Sequence, residues 1–240
     1  EHVILASDAV TAVSASLAQR TREQFCAAVT PCGIEVIPNF VDLEHFSPNA
    51  RRGADCIGHS GPTAVHLSNF RPVKRVPWLV QAFARAAKGT EAHLVLVGDG
   101  PDQHECRRMA QSLGIANQVS FLGERSVLPE LLAPANVFCL TSTEESFGLS
   151  ALEAMSCGTA VVATDVGGVS EVVTHGKSGL LAPADDQETY SQLLANVLFE
   201  EGLSDKLGVN AREEAVVRFA RAKVVKHYEQ LYLRLLDSPA

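Results

Sequence analysis

From about residue 63 onward, short apolar runs rich in β-branched residues alternate with longer stretches of helical period. No other feature constrains the chain as much, because this is the pattern of repeated βαβ units folding into a parallel sheet covered by helices. The apolar runs fall at 64–68, 93–97, 119–122, 137–140, 160–163 and 180–182. Helical period falls at 76–87, 103–113, 127–132, 149–156 and 169–173, then in a tail at 187–199, 203–217 and 224–236. Leu94-Val95-Leu96-Val97 has no polar residue on either side of the pleat, as a strand buried on both faces requires. The expectation is an α/β fold, a Rossmann-like doubly wound parallel sheet.

Residues 1–45 read differently. A strand at 9–13, a helix at 17–26 and a second strand at 35–37 make one βαβ unit, too little to bury a core alone. The chain opens on Glu1, with Val3, Ile4 and Leu5 already apolar, as though inside an element. The expectation is therefore the C-terminal portion of something longer. A remnant of a preceding domain and its hinge would cover 1–50, and a Gly- and Pro-containing connector 51–62. A complete domain would cover 63–218, and a closing helix 219–240. A truncated first domain would expose apolar surface and favour association, a homodimer being the simplest product.

Composition removes several classes of function. With 46% apolar and 20% charged residues the chain can bury a sizeable core. A net charge of −8 argues against non-specific nucleic-acid binding, which needs Lys and Arg to neutralise phosphates. No apolar run nears the ~18 residues of a membrane span, and the opening residues carry no signal pattern. Six cysteines without a C-x-x-C pair, and no Asn in an N-x-Ser/Thr context, fit the reducing cytoplasm. Eight histidines without H-x-x-x-H spacing give no case for a protein-held metal. Gly98-Asp99-Gly100 begins like a dinucleotide fingerprint, but Gln103 stands where the third Gly belongs, so a nicotinamide or flavin cofactor is not expected.

Chemistry concentrates in three loops. Thr143-Glu144-Glu145-Ser146-Phe147-Gly148-Leu149-Ser150-Ala151-Leu152-Glu153 follows the strand at 137–140, at the sheet edge where doubly wound folds bind ligands. A helix starting near Leu149 would aim the free N–H groups of Phe147, Gly148, Leu149 and Ser150 outward, a setting suited to phosphate. Glu153 could take a ribose diol, and Glu145 the hydroxyls of a group attached to the diphosphate. Equally, Glu145 could be an N-terminal cap and Glu153 an exposed helix residue. Ser68-Asn69-Phe70-Arg71-Pro72-Val73-Lys74-Arg75 places three cations after the strand at 64–68, with Lys74 as a point charge and Arg71 or Arg75 as a fork for diphosphate. A solvated loop would look the same. Thr164-Asp165-Val166-Gly167-Gly168 lets backbone approach a ligand closely, or simply turns. His66 and His93 lie in strands and read as satisfied core or edge histidines.

Glu145 to Glu153 (E-x7-E), the 68–74 loop and Val166-Gly167-Gly168-Val169-Ser170-Glu171 together resemble the retaining glycosyltransferases of family 4, which have the GT-B fold. The likeness includes Ile37-Pro38-Asn39-Phe40-Val41-Asp42 at the expected hinge and runs from about residue 9 to 236. Within the family it is strongest to the branch that joins GlcNAc from UDP-GlcNAc to L-malate in bacillithiol synthesis. The resemblance implies a hexosyltransferase whose partners are a UDP-sugar donor and a small acceptor such as L-malate. It implies that Glu153 holds the ribose, and that Glu145, Ser146 and the backbone of Phe147, Gly148 and Leu149 meet the donor sugar. Lys74, with Arg71 or Asn69, would stabilise the leaving diphosphate, and Gly123 and Arg125 would receive the uracil. No metal would be required, since cations and a helix N-terminus stand in for it. Many family members have Arg at the position of Asn69 and Gly at that of Arg75, which shifts the expected grip towards Arg71. Two other readings share the residues: a nucleotide-sugar-binding module without turnover, and a UDP-GlcNAc 2-epimerase-like enzyme. The E-x7-E segment disfavours the second.

Overall fold

The computed structural model describes residues 4, 7–25, 33–50, 61–126 and 128–237. Its main body is a six-stranded, wholly parallel sheet. The strands are β3 (Thr63–Leu67), β4 (His93–Val97), β5 (Val119–Gly123), β6 (Val137–Leu140), β7 (Ala160–Thr164) and β8 (Gly179–Ala182), in the spatial order β5-β4-β3-β6-β7-β8. β1 (Val10–Ala12) and β2 (Ile34–Val36) pair in parallel in a separate two-stranded sheet.

Successive strand residues point to opposite faces, and the two faces build two cores. Ala64, Leu94, Leu96 and Val162 pack beneath α2 (Val76–Ala86), α3 (Gln103–Ser112) and α7 (Gln187–Phe199). Val65, Val95, Phe138 and Val161 pack beneath α4 (Leu128–Leu132), α5 (Leu149–Ser156) and α8 (Leu203–Phe219). Each such fully buried Val, Leu or Phe side chain contributes about 1.5–3 kcal/mol relative to an exposed one. The near-continuous apolar strands are thus covered on both sides, as the sequence predicts.

The strand order fixes where a ligand can enter. β3 and β6 are neighbours, yet the helix after β3 lies on one face and the helix after β6 on the other. At such a switch point the connections diverge and open a crevice at the carboxyl ends of the strands. The loops at 68–75 and 141–148 flank it.

Some boundaries differ from expectation. A 3-10 turn at Pro72–Lys74 precedes α2, with Pro opening it. α4 begins at Leu128, since Val127 lies outside the described residues. The final helix, α9 (Arg221–Leu236), starts three residues earlier than its apolar pattern suggests, because extended Ala220 alone separates it from α8. α1 (Ala15–Phe25) joins β1 to β2 around Ala12, Ala18 and Ile34, completing the expected βαβ unit. α9 lies across that unit, burying Ile37 against Val224 and Leu231. Val41 donates to the Phe219 carbonyl at 3.1 Å beside the bridge between Val41 and Ala220. Residues 51–60 of the expected connector lie outside the described residues, as does Cys26 at the end of the predicted first helix.

Candidate active site

Lys74, at the end of the 3-10 turn, meets Glu145 across the switch point, Nζ to Oε1 at 2.5 Å. The Ser142 hydroxyl donates to the same carboxylate oxygen at 2.8 Å. Both charged partners are largely buried, with side-chain exposures of 23% and 12%. The loops beneath them are fastened together: Thr141 Oγ1 donates to the Lys74 carbonyl at 2.8 Å and the Thr143 amide to the Val73 carbonyl at 2.9 Å. Thr164, at the end of β7, donates to the Ser142 carbonyl at 2.7 Å. A cation therefore stands at the crevice with its counter-ion already placed, and a bound diphosphate would compete with Glu145 for Lys74.

A cleft of about 430 Å³ opens at the carboxyl ends of β3, β4 and β5; Lys74, Glu145 and Glu153 are not among its lining residues. Asn69, Asp99, Arg125 and Ser150 line it, with Glu124 next to Gly123. Gly123 ends β5 at φ +66, a left-handed turn that sends residues 124 and 125 to the cleft wall. Arg71 is exposed nearby in the 68–75 loop.

The other wall is the start of α5. Gly148 at φ +96 reverses the chain into the helix. The first intrahelical bond runs from the Leu152 amide to the Gly148 carbonyl at 3.1 Å, so the amides of Leu149, Ser150 and Ala151 precede it. No acidic residue occupies the first turn to neutralise them. The Phe147 ring is buried edge-on against Phe219, 5.7 Å between centroids, which leaves its backbone as the part that can meet a ligand. Glu153 lies one turn beyond Ser150, on the same stripe of the helix. Burial pushes its carboxyl up to about 7. Glu153 is half-buried, not the exposed helix residue of the alternative reading, and that burial is the cause of the shift.

Arg75 is a correction. Its guanidinium turns away from the crevice: Nε donates to the Thr141 carbonyl at 2.9 Å, Nη1 meets Asp185 at 3.1 Å, and Nη2 bonds the Ala184 carbonyl. It also stacks over Trp78 at 4.7 Å. Arg75 thus ties loops together and is not a fork for diphosphate. The paired glycines are resolved too. A Cβ on Gly167 would collide with the Glu145 carbonyl oxygen and one on Gly168 with that of Ser146, so the close approach they allow is to protein backbone. Gly98 and Gly100 likewise make room for the carbonyls of Ser68 and Asn69.

His66 is the satisfied core histidine expected. Nδ1 donates to the Cys139 carbonyl at 2.9 Å, which leaves Nε2 to accept from Ser68 Oγ at 2.8 Å. Burial lowers its pKa to about 4, so the ring is neutral at pH 7. His93 pairs with Ser120 Oγ at 2.9 Å. Sequence reasoning missed Ser142, whose Ser-x-x-Glu spacing to Glu145 was a local signal, and the pairing of Ser14 and Glu171 with distant backbone, for which no local signal exists. Among the described residues no group of three His, Cys, Asp or Glu could hold a metal, and no helix is long and apolar enough to cross a membrane.

Comparisons with known proteins meet this geometry. Residues 56–214 match the family model described as glycosyl transferases group 1. N-acetyl-alpha-D-glucosaminyl L-malate synthase of Bacillus anthracis is 38% identical over 234 residues, covering 96% of this chain and 60% of that protein. Among solved structures, sucrose-phosphate synthase from Thermosynechococcus elongatus superposes with a TM-score of 0.87 at 27% identity, covering 98% of this chain and 60% of that one. Anabaena HepE in complex with UDP-glucose superposes at 0.83 with 26% identity, covering 95% and 64%. The sheet is that of a GT-B glycosyltransferase. With the family model covering most of the sequence and a relative at this identity along nearly all of it, the chain belongs to the group 1 glycosyl transferases.

Proposed function

We propose that this chain is the donor-binding half of a retaining glycosyltransferase that moves GlcNAc from UDP-GlcNAc to L-malate. The observation that carries the reading is the largely buried Lys74–Glu145 pair at the switch point between β3 and β6. The 38% identity to a GlcNAc–malate synthase supports the choice of donor sugar and acceptor, and the neighbour in complex with UDP-glucose supports uridine.

In this reading the uracil lies by Gly123 and Arg125, and the Glu153 carboxylate takes the ribose hydroxyls. The diphosphate rests on Lys74, with Asn69 and Arg71 at its rim, and on the free amides that open α5. Glu145, Ser146 and the backbone of Phe147, Gly148 and Leu149 face the donor sugar. As the bond between the anomeric carbon and the diphosphate breaks, negative charge gathers on the leaving oxygen. Lys74 stabilises that charge from a fixed, partly dry position, a contribution worth several kcal/mol. A cation and a helix N-terminus do the work a divalent metal would otherwise do, so turnover is expected in EDTA. The buried thiols of Cys106, Cys139 and Cys157 fit a reducing compartment, and we assign the protein to the cytoplasm.

Product analysis of the longer parent with UDP-GlcNAc and L-malate tests the reading. It predicts GlcNAc joined to malate with the anomeric configuration of the donor kept. Conversion of UDP-GlcNAc to UDP-ManNAc, without transfer to malate, would instead identify a 2-epimerase.

A further inference from the structure

Glu171 belongs to the glycine-containing motif at 166–171, yet the proposed chemistry leaves it unused. It sits on α6 (Val169–Val172), a helix of four residues, and reaches across to the first βαβ unit. Its two carboxylate oxygens accept from the backbone amides that open α1: Ala15 to Oε2 at 2.7 Å and Ser16 to Oε1 at 2.8 Å. The next amide, Leu17, goes to the Ser14 hydroxyl at 3.0 Å, and that hydroxyl donates to the Ser146 carbonyl at 2.6 Å. The Gly168 amide donates to the Glu145 carbonyl at 3.0 Å. Arg20, further along α1, pairs with Glu144. Three segments thus converge on one seam: the start of α1, the start of α6, and the backbone at 144–146 that leads into α5.

We propose that Glu171 is a positioning residue for the donor-sugar side of the site. Its carboxylate clamps the N-terminus of α1, and through Ser14 and Gly168 that clamp sets the backbone of residues 145–148. Four features favour this over a simple helix cap. A cap comes from the helix's own leading residue, which here is Ser14, whereas Glu171 is more than 150 residues away. A four-residue helix cannot hold its own orientation through internal hydrogen bonds, so Glu171 is placed by what it touches. Behind it, Arg218 bonds the Glu171 and Val172 carbonyls and fixes α6 from the opposite side. Finally, Gly168 has no room for a Cβ between the Ser146 carbonyl and Ser14, so the seam is packed too closely to shift at one place alone. Charge-assisted bonds to both oxygens give the clamp direction as well as strength.

The test compares Glu171→Ala, Glu171→Gln and Ser14→Ala in this chain, by amide hydrogen exchange and by calorimetry with UDP and UDP-GlcNAc. The binding arm rests on the function proposed above; the exchange arm does not. In Glu171→Ala, exchange should rise at Ala15 and Ser16, and also at Gly168 and through 142–152. UDP-GlcNAc affinity should fall roughly tenfold while UDP affinity changes less than about twofold, because the clamp governs the sugar-side loop. Glu171→Gln, which keeps one acceptor oxygen, should fall between wild type and Ala. Ser14→Ala should reproduce the exchange at 142–152 with Glu171 intact, and it carries the test if Glu171→Ala does not fold. Faster exchange confined to residues 15–17, or equal losses for both nucleotides, would overturn the proposal. If wild type binds neither nucleotide, the functional reading has failed and the exchange pattern alone decides whether Glu171 positions the loop.

Discussion

At Glu153, burial has set a carboxyl that is half neutral near pH 7, and this has two readable consequences. Its folded pKa is raised from 4.5, so the stability it contributes is fully present below 4.5 and is lost as pH climbs through about 7. Glu153→Gln should therefore melt above wild type at pH 8, with a gap that narrows as pH is lowered through this window; a constant gap in thermal melts would contradict the shift. Ligand binding runs the other way, because a diol is best held by the ionised carboxylate. UDP-GlcNAc, whose diphosphate does not titrate in this range, should bind roughly tenfold more tightly one pH unit above 7 than one unit below. A flat profile by calorimetry would detach Glu153 from the ribose. His66 has the opposite sign: its depressed pKa contributes stability above 6.5 that is lost as pH falls through about 4. Lys74 is the residue whose importance should grow along the reaction. In the longer parent, Lys74→Ala should lower kcat by one to two orders of magnitude, roughly, and donor affinity much less. Equal losses in steady-state kinetics would make it a binding residue only. At this scale the sequence showed which residue types were present, and type and spacing singled out Glu145, Glu153 and Lys74 as candidates. Which way a side chain turns was hidden, as Arg75 shows: three protein acceptors and a Trp ring, all 66 to 110 residues away or on the next helix turn, draw it out of the crevice.

At the scale of elements, loops packed carbonyl against glycine carry the site. Gly167 stands at φ +54 with no space for a Cβ beside the Glu145 carbonyl. Gly167→Ala should cost about 2 kcal/mol or more, through backbone strain and displacement of the 145 loop together. Chemical denaturation should show a lower midpoint with the slope unchanged, and an unshifted midpoint would mean that the loops are not in register as described. The strands were legible because burial on both faces leaves little but β-branched and aliphatic residues in them, and all six lie within a residue or two of the predicted runs. Element ends were less legible. The 3-10 turn at Pro72–Lys74 forms because Pro opens it and the 141–143 backbone receives it, and only the first of these is local. The early start of α9 depends on one extended residue, Ala220, paired with Val41 across the molecule.

Across the whole molecule, two cores share one sheet, and the first βαβ unit is tied to it along two seams. Ile37 with Val224 and Leu231 makes the apolar seam, and Glu171, Ser14 and the Arg20–Glu144 pair make the polar one. The polar contacts join residues more than 120 positions apart, so no local pattern announces them. The βαβ alternation does not specify the spatial order β5-β4-β3-β6-β7-β8; given that order, right-handed crossovers put the helices after β3 and β6 on opposite faces, and the order brings the two flanking loops together. In the function proposed above, the crevice between β3 and β6 binds a uridine diphosphate sugar without a metal. The deciding measurement is a calorimetric titration of this chain with UDP, ADP and GDP in EDTA. UDP should bind one to one, at least about tenfold more weakly in Glu153→Ala, and ADP and GDP should bind far more weakly or not at all. Equal binding of the three nucleotides, or UDP binding that Glu153→Ala leaves unchanged, would contradict that function.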